Sequence, residues 1–152
     1  MPRSTRSFIF PDLNVWIALT YRGHIHHLVA NAWLDSVPED AELFFCRLTQ
    51  LGFLRLLTTT GVMGNKVMSQ AGAWNVFDDW IENGRAGYLE EPPAIERAFR
   101  SFSRSPQVAP KDWADSYISA FAQVSGLRLV TFDQVLQRRT TGSVLLKPTM
   151  NM

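Results

Sequence analysis

Cysteine is almost missing from this chain: Cys46 is the only one in 152 residues, so no internal disulfide can form and a reducing compartment is the simpler setting. Long apolar runs are missing as well. No stretch approaches the roughly 18 apolar residues of a membrane-spanning helix, and Pro11, Asp12 and Asn14 interrupt the apolar residues behind the basic start, so no signal-peptide core is expected. Nor does one sign of charge prevail. Fifteen Lys and Arg against fourteen Asp and Glu leave a formal net charge of +1, which excludes the strongly basic whole-domain footprint of many nucleic-acid binders. Internal repeats, low-complexity tracts and a glycine-rich phosphate-binding loop are also absent. The expectation is a cytoplasmic chain with no membrane partner, on which any anionic ligand must meet a local patch.

Large apolar side chains, by contrast, are plentiful. Five Trp, ten Phe and three Tyr within 46% hydrophobic residues suit one compact domain over residues 1–152 that buries about two-thirds of its unfolded surface. Twelve of the fifteen basic residues are arginine, the side chain whose planar fork grips phosphate with two bonds.

Breakers recur at intervals that alternate strand with helix. Ser7 to Phe10, Glu42 to Cys46, Ala86 to Leu89, Leu127 to Phe132 and Val144 to Leu146 read as short strands. Leu13 to Tyr21, Ile25 to Val37, Leu48 to Leu57, Lys66 to Glu82, Pro92-Pro93 through Arg104, and Lys111 to Ser125 read as helices. Leu28, Ala32 and Trp33 mark the inner face of the second helix, Thr58 to Asn65 reads as a loop, and Gly126 closes the last helix. The pattern predicts an α/β fold, a three-layer sandwich with a short, mostly parallel sheet of four or five strands flanked by helices.

In such a sheet the strand ends and the helix starts share one rim. Asp12 follows the first strand, Asp133 follows the strand ending in Phe132, and Asp115 lies in the first turn of the helix leading into that strand. Three carboxylates far apart in sequence are therefore expected on that rim. From Arg97 onward eight Lys or Arg stand against three acids, and those are Asp112, Asp115 and Asp133. Positions 112, 115 and 119 form a polar stripe on the helix. Clustered carboxylates repel unless a cation intervenes, and hard oxygen donors with room for water suit Mg²⁺ or Mn²⁺. With a phosphodiester as substrate, one such ion, or two about 4 Å apart, can activate water and stabilise charge on the phosphate.

Three segments, Phe10-Pro-Asp12-Leu-Asn14-Val-Trp16, Asp115-Ser-Tyr-Ile118-Ser-Ala-Phe-Ala122 and Leu129-Val-Thr131-Phe-Asp133, resemble in order and spacing the PIN-domain family. Within it they are similar to the VapC-type toxin ribonucleases of toxin–antitoxin modules, and the resemblance covers nearly the whole chain. It implies a PIN-like fold and a metal-dependent endoribonuclease that hydrolyses RNA with Mg²⁺ or Mn²⁺. It also implies a homodimer and a small VapB-like antitoxin whose tail enters the catalytic groove. The family's acids map onto Asp12, Asp115 and Asp133, as catalytic and metal-holding residues. Asn14 and Thr131 match polar positions beside those acids and are given a supporting role.

One position departs from the family. Where it usually carries Glu in the helix after the second strand, this chain has Gln50, which keeps the length and a carbonyl donor but not the charge. Asp112, one turn before Asp115, either replaces that charge or caps its helix, and the cap is preferred. With the charge unreplaced, the alternative is a non-catalytic PIN-like domain that binds RNA or protein.

Several other features carry blander readings. Lys111, nearest the rim, is the candidate substrate contact, ahead of Arg97, Arg100 and Arg104 on one helix face. His24, His26 and His27 lack the spacing of a helical zinc motif and read as helix-start polarity. Cys46 reads as a small buried hydrophobe, and Trp74, Phe77, Trp80 and Ile81 read as core.

Overall fold

Short apolar runs bounded by breakers become the strands of one sheet in the computed structural model, which describes residues 7–148. The strands β1 (Phe8–Pro11), β2 (Glu42–Phe45), β3 (Ala86–Tyr88), β4 (Arg128–Thr131) and β5 (Val144–Leu145) pair in the order β3-β2-β1-β4-β5. Every pair is parallel. The expected sandwich is borne out, with five strands in its sheet, all of them parallel.

Helices occupy the crossovers, as parallel pairing requires. They are α1 (Leu13–Thr20), α2 (His27–Ser36), α3 (Arg47–Leu57), α4 (Thr60–Met63), α5 (Gln70–Glu82), α6 (Ile95–Phe102), α7 (Asp112–Ser125) and α8 (Gln134–Arg139). Because successive strand residues point to opposite faces, the sheet feeds two cores. Ile9, Leu43 and Val130 join Trp16, Ala30, Phe53 and Phe77 on the face covered by α1, α2, α3 and α5. Phe10, Cys46 and Leu129 join Ile95, Phe121 and Leu136 on the face covered by α6, α7 and α8.

Two ring contacts fix the helices that matter for the rim. Trp16, fully buried, stacks on Phe45 with centroids 3.8 Å apart and planes 11° from parallel, which seats α1 on the sheet. On the other face Phe10 meets Phe121 at 5.1 Å, which seats α7. Truncating Trp16 to Ala would cost about 3–5 kcal/mol. The chain winds from β1 to β2 and β3, then returns to β4 on the other side of β1 and continues to β5. The winding direction thus reverses between β1 and β4, and in open α/β sheets the ligand crevice lies outside the carboxyl ends of the strands at such a point.

Several local expectations are corrected. On α2 the inner residues are Ala30, with Val29, Trp33 and Leu34, while Leu28 is 82% exposed and Ala32 faces solvent. Leu28 and Ala32 therefore belong to the outer face. The stretch 58–65 is not all loop, since α4 and a 3₁₀ turn at Gly64–Lys66 lie there. The following helix begins at Gln70 because the Ser69 hydroxyl accepts the Gly72 N–H at 3.0 Å, a side-chain cap. Helix α8 was not expected. Ser119, at the far end of the polar stripe, lies buried and bonded to Thr140 at 2.8 Å. Gly126 ends α7 at φ +67°, a left-handed conformation that favours glycine. Among the described residues no helix is long and apolar enough to cross a membrane; the basic residues 1–6 lie outside the described residues.

Candidate active site

The backbone delivers Asp12 to the rim directly. Its N–H continues the β1–β4 ladder by bonding the Val130 carbonyl at 2.8 Å, and its side chain then caps α1, Oδ1 accepting the Leu13 N–H at 2.7 Å. Oδ2 accepts the Thr131 hydroxyl at 3.0 Å. Thr131 is fully buried at the end of β4, and its oxygen also accepts the Asp133 N–H at 3.0 Å. Asp133 caps α8 in turn, with Oδ1 accepting Val135 N–H at 2.8 Å and Leu136 N–H at 3.2 Å. Its second oxygen has no hydrogen bond among the described residues. The caps and the cluster are one arrangement: capping points both carboxylates into the crevice.

Asp12, Asn14, Asp115 and Asp133 line one cavity of about 450 Å³ at the β1–β4 switch point. Asp115 reaches it from the first turn of α7, and its side chain makes no hydrogen bond among the described residues. Its carboxyl is held above the ordinary aspartate value by burial first, then by the charges of Asp12 and Asp133, with Arg139 opposing them. Burial likewise raises Asp12, against the bonds from Leu13 and Thr131, and Asp133 adds to the rise. The three acids therefore sense one another, and the cavity stores negative charge that a cation would relieve.

The other sequence candidates fall elsewhere. Gln50 is buried and does not line the cavity; its Oε1 accepts a hydrogen bond from Arg47, whose guanidinium lies 5.0 Å over the Tyr88 ring. Asp112 opens α7 as its first residue and makes no side-chain cap, so the capping role expected for it is not found. It lines a neighbouring cavity with Trp113, Ser116 and Arg139. Lys111 precedes it, exposed and outside the aspartate cavity. Burial pushes the Cys46 thiol up, in keeping with an inert side chain.

Sequence reasoning missed the opposite wall. Leu48, Leu51, Gly52 and Arg55 line the aspartate cavity along one face of α3. The helical spacing was visible, but it does not say which face lies outward, and Leu48 is 36% and Leu51 61% exposed. A Cβ on Gly52 would stand 2.7 Å from Leu13 Cδ2, so this glycine lets α3 approach the residue next to Asp12. Arg55 places a guanidinium at the edge of an acidic cavity, a position suited to a phosphate.

The donor set fits a hard divalent cation in kind: all oxygen, mutually repelling, with Asp115 and one oxygen of Asp133 uncommitted. Among the described residues no three acidic, His or Cys side chains already converge as a metal cluster. Mg²⁺ does not demand one, because it keeps several waters and takes one or two carboxylates.

Comparison with known proteins decides the family. The PIN-domain profile matches residues 9–141. The chain belongs to the PIN-domain family. This PIN domain is 38% identical over 128 residues to the ribonuclease VapC41 of Mycobacterium tuberculosis, covering 80% of this chain and 86% of the relative. It is thus a member of the VapC-type ribonuclease toxins. The crystal structure of VapC20 from Mycobacterium tuberculosis, a toxin that cleaves the sarcin-ricin loop, superposes with a TM-score of 0.64 at 16% identity, covering 92% of this chain and 99% of that one. VapBC2 from Rickettsia felis, solved bound to a promoter DNA fragment, gives a TM-score of 0.63 at 10% identity, over 92% of this chain and 98% of the other. At these identities the structural likeness speaks for the fold alone.

Proposed function

We propose that this VapC-type ribonuclease toxin works as a single-domain endoribonuclease in the cytoplasm, with Asp12, Asp115 and Asp133 holding Mg²⁺ or Mn²⁺. One observation carries the reading: three carboxylates from distant strand ends and a helix start line one cavity at the switch point. When bound, the cation lowers the pKa of its water and neutralises charge on the scissile phosphate. The chain's own residues supply the rest. Thr131 fixes the Asp12 carboxylate, the α8 cap orients Asp133, and Arg55 faces the phosphate from the α3 wall. Asn14 lines the same cavity and offers an amide to a water or a ribose hydroxyl. Because Gln50 lies off the cavity, the exchange of acid for amide there leaves the three-carboxylate site intact, which favours catalysis over the purely binding alternative.

A small antitoxin is the proposed partner, its segment covering the exposed Leu48 and Leu51 beside the carboxylates, and the toxin is proposed to act as a homodimer. Solved relatives of this fold include toxin–antitoxin complexes, one of them from Klebsiella pneumoniae. The test is Asp12→Asn: cleavage of RNA in Mn²⁺ and growth arrest on expression should both disappear. Undiminished cleavage by the folded variant would overturn the assignment.

A further inference from the structure

Beyond the aspartate cavity, a cationic helix face adjoins the most exposed of the five tryptophans. Arg97 and Arg100 on α6, with Arg104 two residues past its end, line an open depression of about 680 Å³. Arg100 and Arg104 also line a second depression of about 330 Å³, with Phe99, Ser103 and Trp113. Ser103 and Trp113 belong in turn to a cavity of about 320 Å³ that reaches Asp112, Ser116 and Arg139. Only the first turn of α7 separates that cavity from the carboxylates, since Trp113 lines the one and the adjacent Ala114 and Asp115 line the other. Shared lining residues thus make a surface path from the three arginines to the indole, and the first turn of α7 stands between the end of that path and the candidate active site.

The chemistry of the path is specific. Arg97 and Arg104 make no ion pair among the described residues, and Arg100 makes a single exposed one with Glu96 at 3.7 Å. Exposed pairs of that kind are weak, so all three guanidinium groups are available to an anion. Trp113 is 59% exposed and meets Phe99 in a T-shaped contact, with centroids 6.2 Å apart and planes 81° from parallel. An indole more than half exposed can serve as a stacking platform, because covering it removes apolar surface from water. Repeated cations beside a flat aromatic match a polymer of alternating phosphates and bases. An acidic peptide would satisfy the arginines but gain less from the ring.

We propose that this path binds a single-stranded arm of the RNA next to the scissile bond, Arg97, Arg100 and Arg104 taking its phosphates and Trp113 stacking one of its bases. The proposal rests on the ribonuclease reading of the aspartate cavity and extends it to substrate selection: strands long enough to reach α6 are held more tightly than short ones. Trp113 and the arginines are binding residues, remote from the reacting atoms.

The test uses the full chain carrying Asp12→Asn, so that RNA is bound without being cut, and a fluorescent twelve-nucleotide single-stranded RNA as probe. Adding Trp113→Ala should weaken binding about tenfold, as loss of one base stack does, while Trp113→Phe should restore most of it. Adding R97Q, R100Q and R104Q together should flatten the salt dependence of affinity by about two, since each phosphate contact on a single strand contributes about 0.7 to the slope. Lys66→Gln, an exposed control, should change neither. On the active chain, Trp113→Ala should raise KM for the twelve-nucleotide RNA at unchanged kcat and leave a dinucleotide substrate unaffected. Affinity and salt slope equal to the parent's would overturn the proposal. So would variants that keep RNA affinity but lose affinity for a twelve-residue oligoglutamate, which would assign the path to an acidic protein partner. Cleavage surviving Asp12→Asn would instead sink the active-site reading, so the two failures are distinguishable.

Discussion

Thr131 donates its hydroxyl proton to Oδ2 of Asp12 across 3.0 Å, joining residues 119 positions apart. The same oxygen accepts the Asp133 N–H, so one buried hydroxyl fixes two of the three carboxylate-bearing segments. This follows from the pairing of β4 beside β1 and is the shortest physical link between the fold and the candidate chemistry.

Thr131→Val removes both bonds at nearly constant volume and leaves the Asp133 N–H without its side-chain acceptor. Unfolding in denaturant should show a loss of about 1–3 kcal/mol, together with weaker Mn²⁺ binding. Thr131→Ser, which keeps the hydroxyl, should lose far less of both. Equal stability of the Val and Ser variants would show that the hydroxyl has no such role.

The charge stored in the cavity gives stability a definite pH dependence. Asp12 and Asp115 have folded values above the ordinary 3.8, so the folded chain binds these protons more tightly than the unfolded one. Their contribution to stability is then fully present below pH 3.8 and is lost as pH rises through the raised folded values. At pH 7 the cost of the charged cluster is complete. Asp115→Asn should therefore raise Tm at pH 7 in the absence of divalent ions, and the gain should shrink towards zero as pH falls to 3.8. A gain that grew on acidification would contradict the assigned direction.

Asp133 combines a helix cap with a place at the cavity, and two substitutions separate the roles. Asparagine still accepts the Val135 and Leu136 N–H groups, so Asp133→Asn should keep stability within about 0.5 kcal/mol, whereas Asp133→Ala should lose about 1 kcal/mol. Both should abolish RNA cleavage. Retained activity in the Asn variant would restrict Asp133 to capping.

The sheet and the acidic rim were legible because they depend on features a sequence carries locally: apolar runs of strand length ended by Pro11-Asp12 or by Phe132-Asp133, and acids placed just past them. What escaped depends on tertiary contacts. Helix α8 is six residues long, too short for periodicity to register, and its cap Asp133 was already assigned to the site. The α3 run of Leu48, Leu51, Leu54 and Leu56 has the spacing of a core stripe, yet helix placement turns Leu48 and Leu51 towards the cavity and Phe53 and Leu57 inward. The same rotation takes Gln50 out of the cavity and brings Arg55 into it. Asp112 has the identity of a cap but sits one residue inside α7, where its side chain cannot serve as one.

The position of Gln50 yields a prediction opposite to the one that motif matching suggests. If the family's missing carboxylate mattered here, Gln50→Glu would tighten the metal. With the side chain buried and engaged by Arg47, the Glu would pair with that guanidinium instead, and Mn²⁺ affinity should stay within about twofold of the parent's, a change below about 0.4 kcal/mol. Calorimetry that found a large gain would return Gln50 to the ligand set.

The most direct measurement is a calorimetric titration of Mn²⁺ into the parent chain and into its Asp12→Asn, Asp115→Asn and Asp133→Asn variants at pH 7. The account predicts saturable binding by the parent and affinities about tenfold or more weaker in each variant, with RNA cleavage lost in parallel. Equal affinities across the four chains, or no binding by a parent that still cleaves RNA, would contradict it.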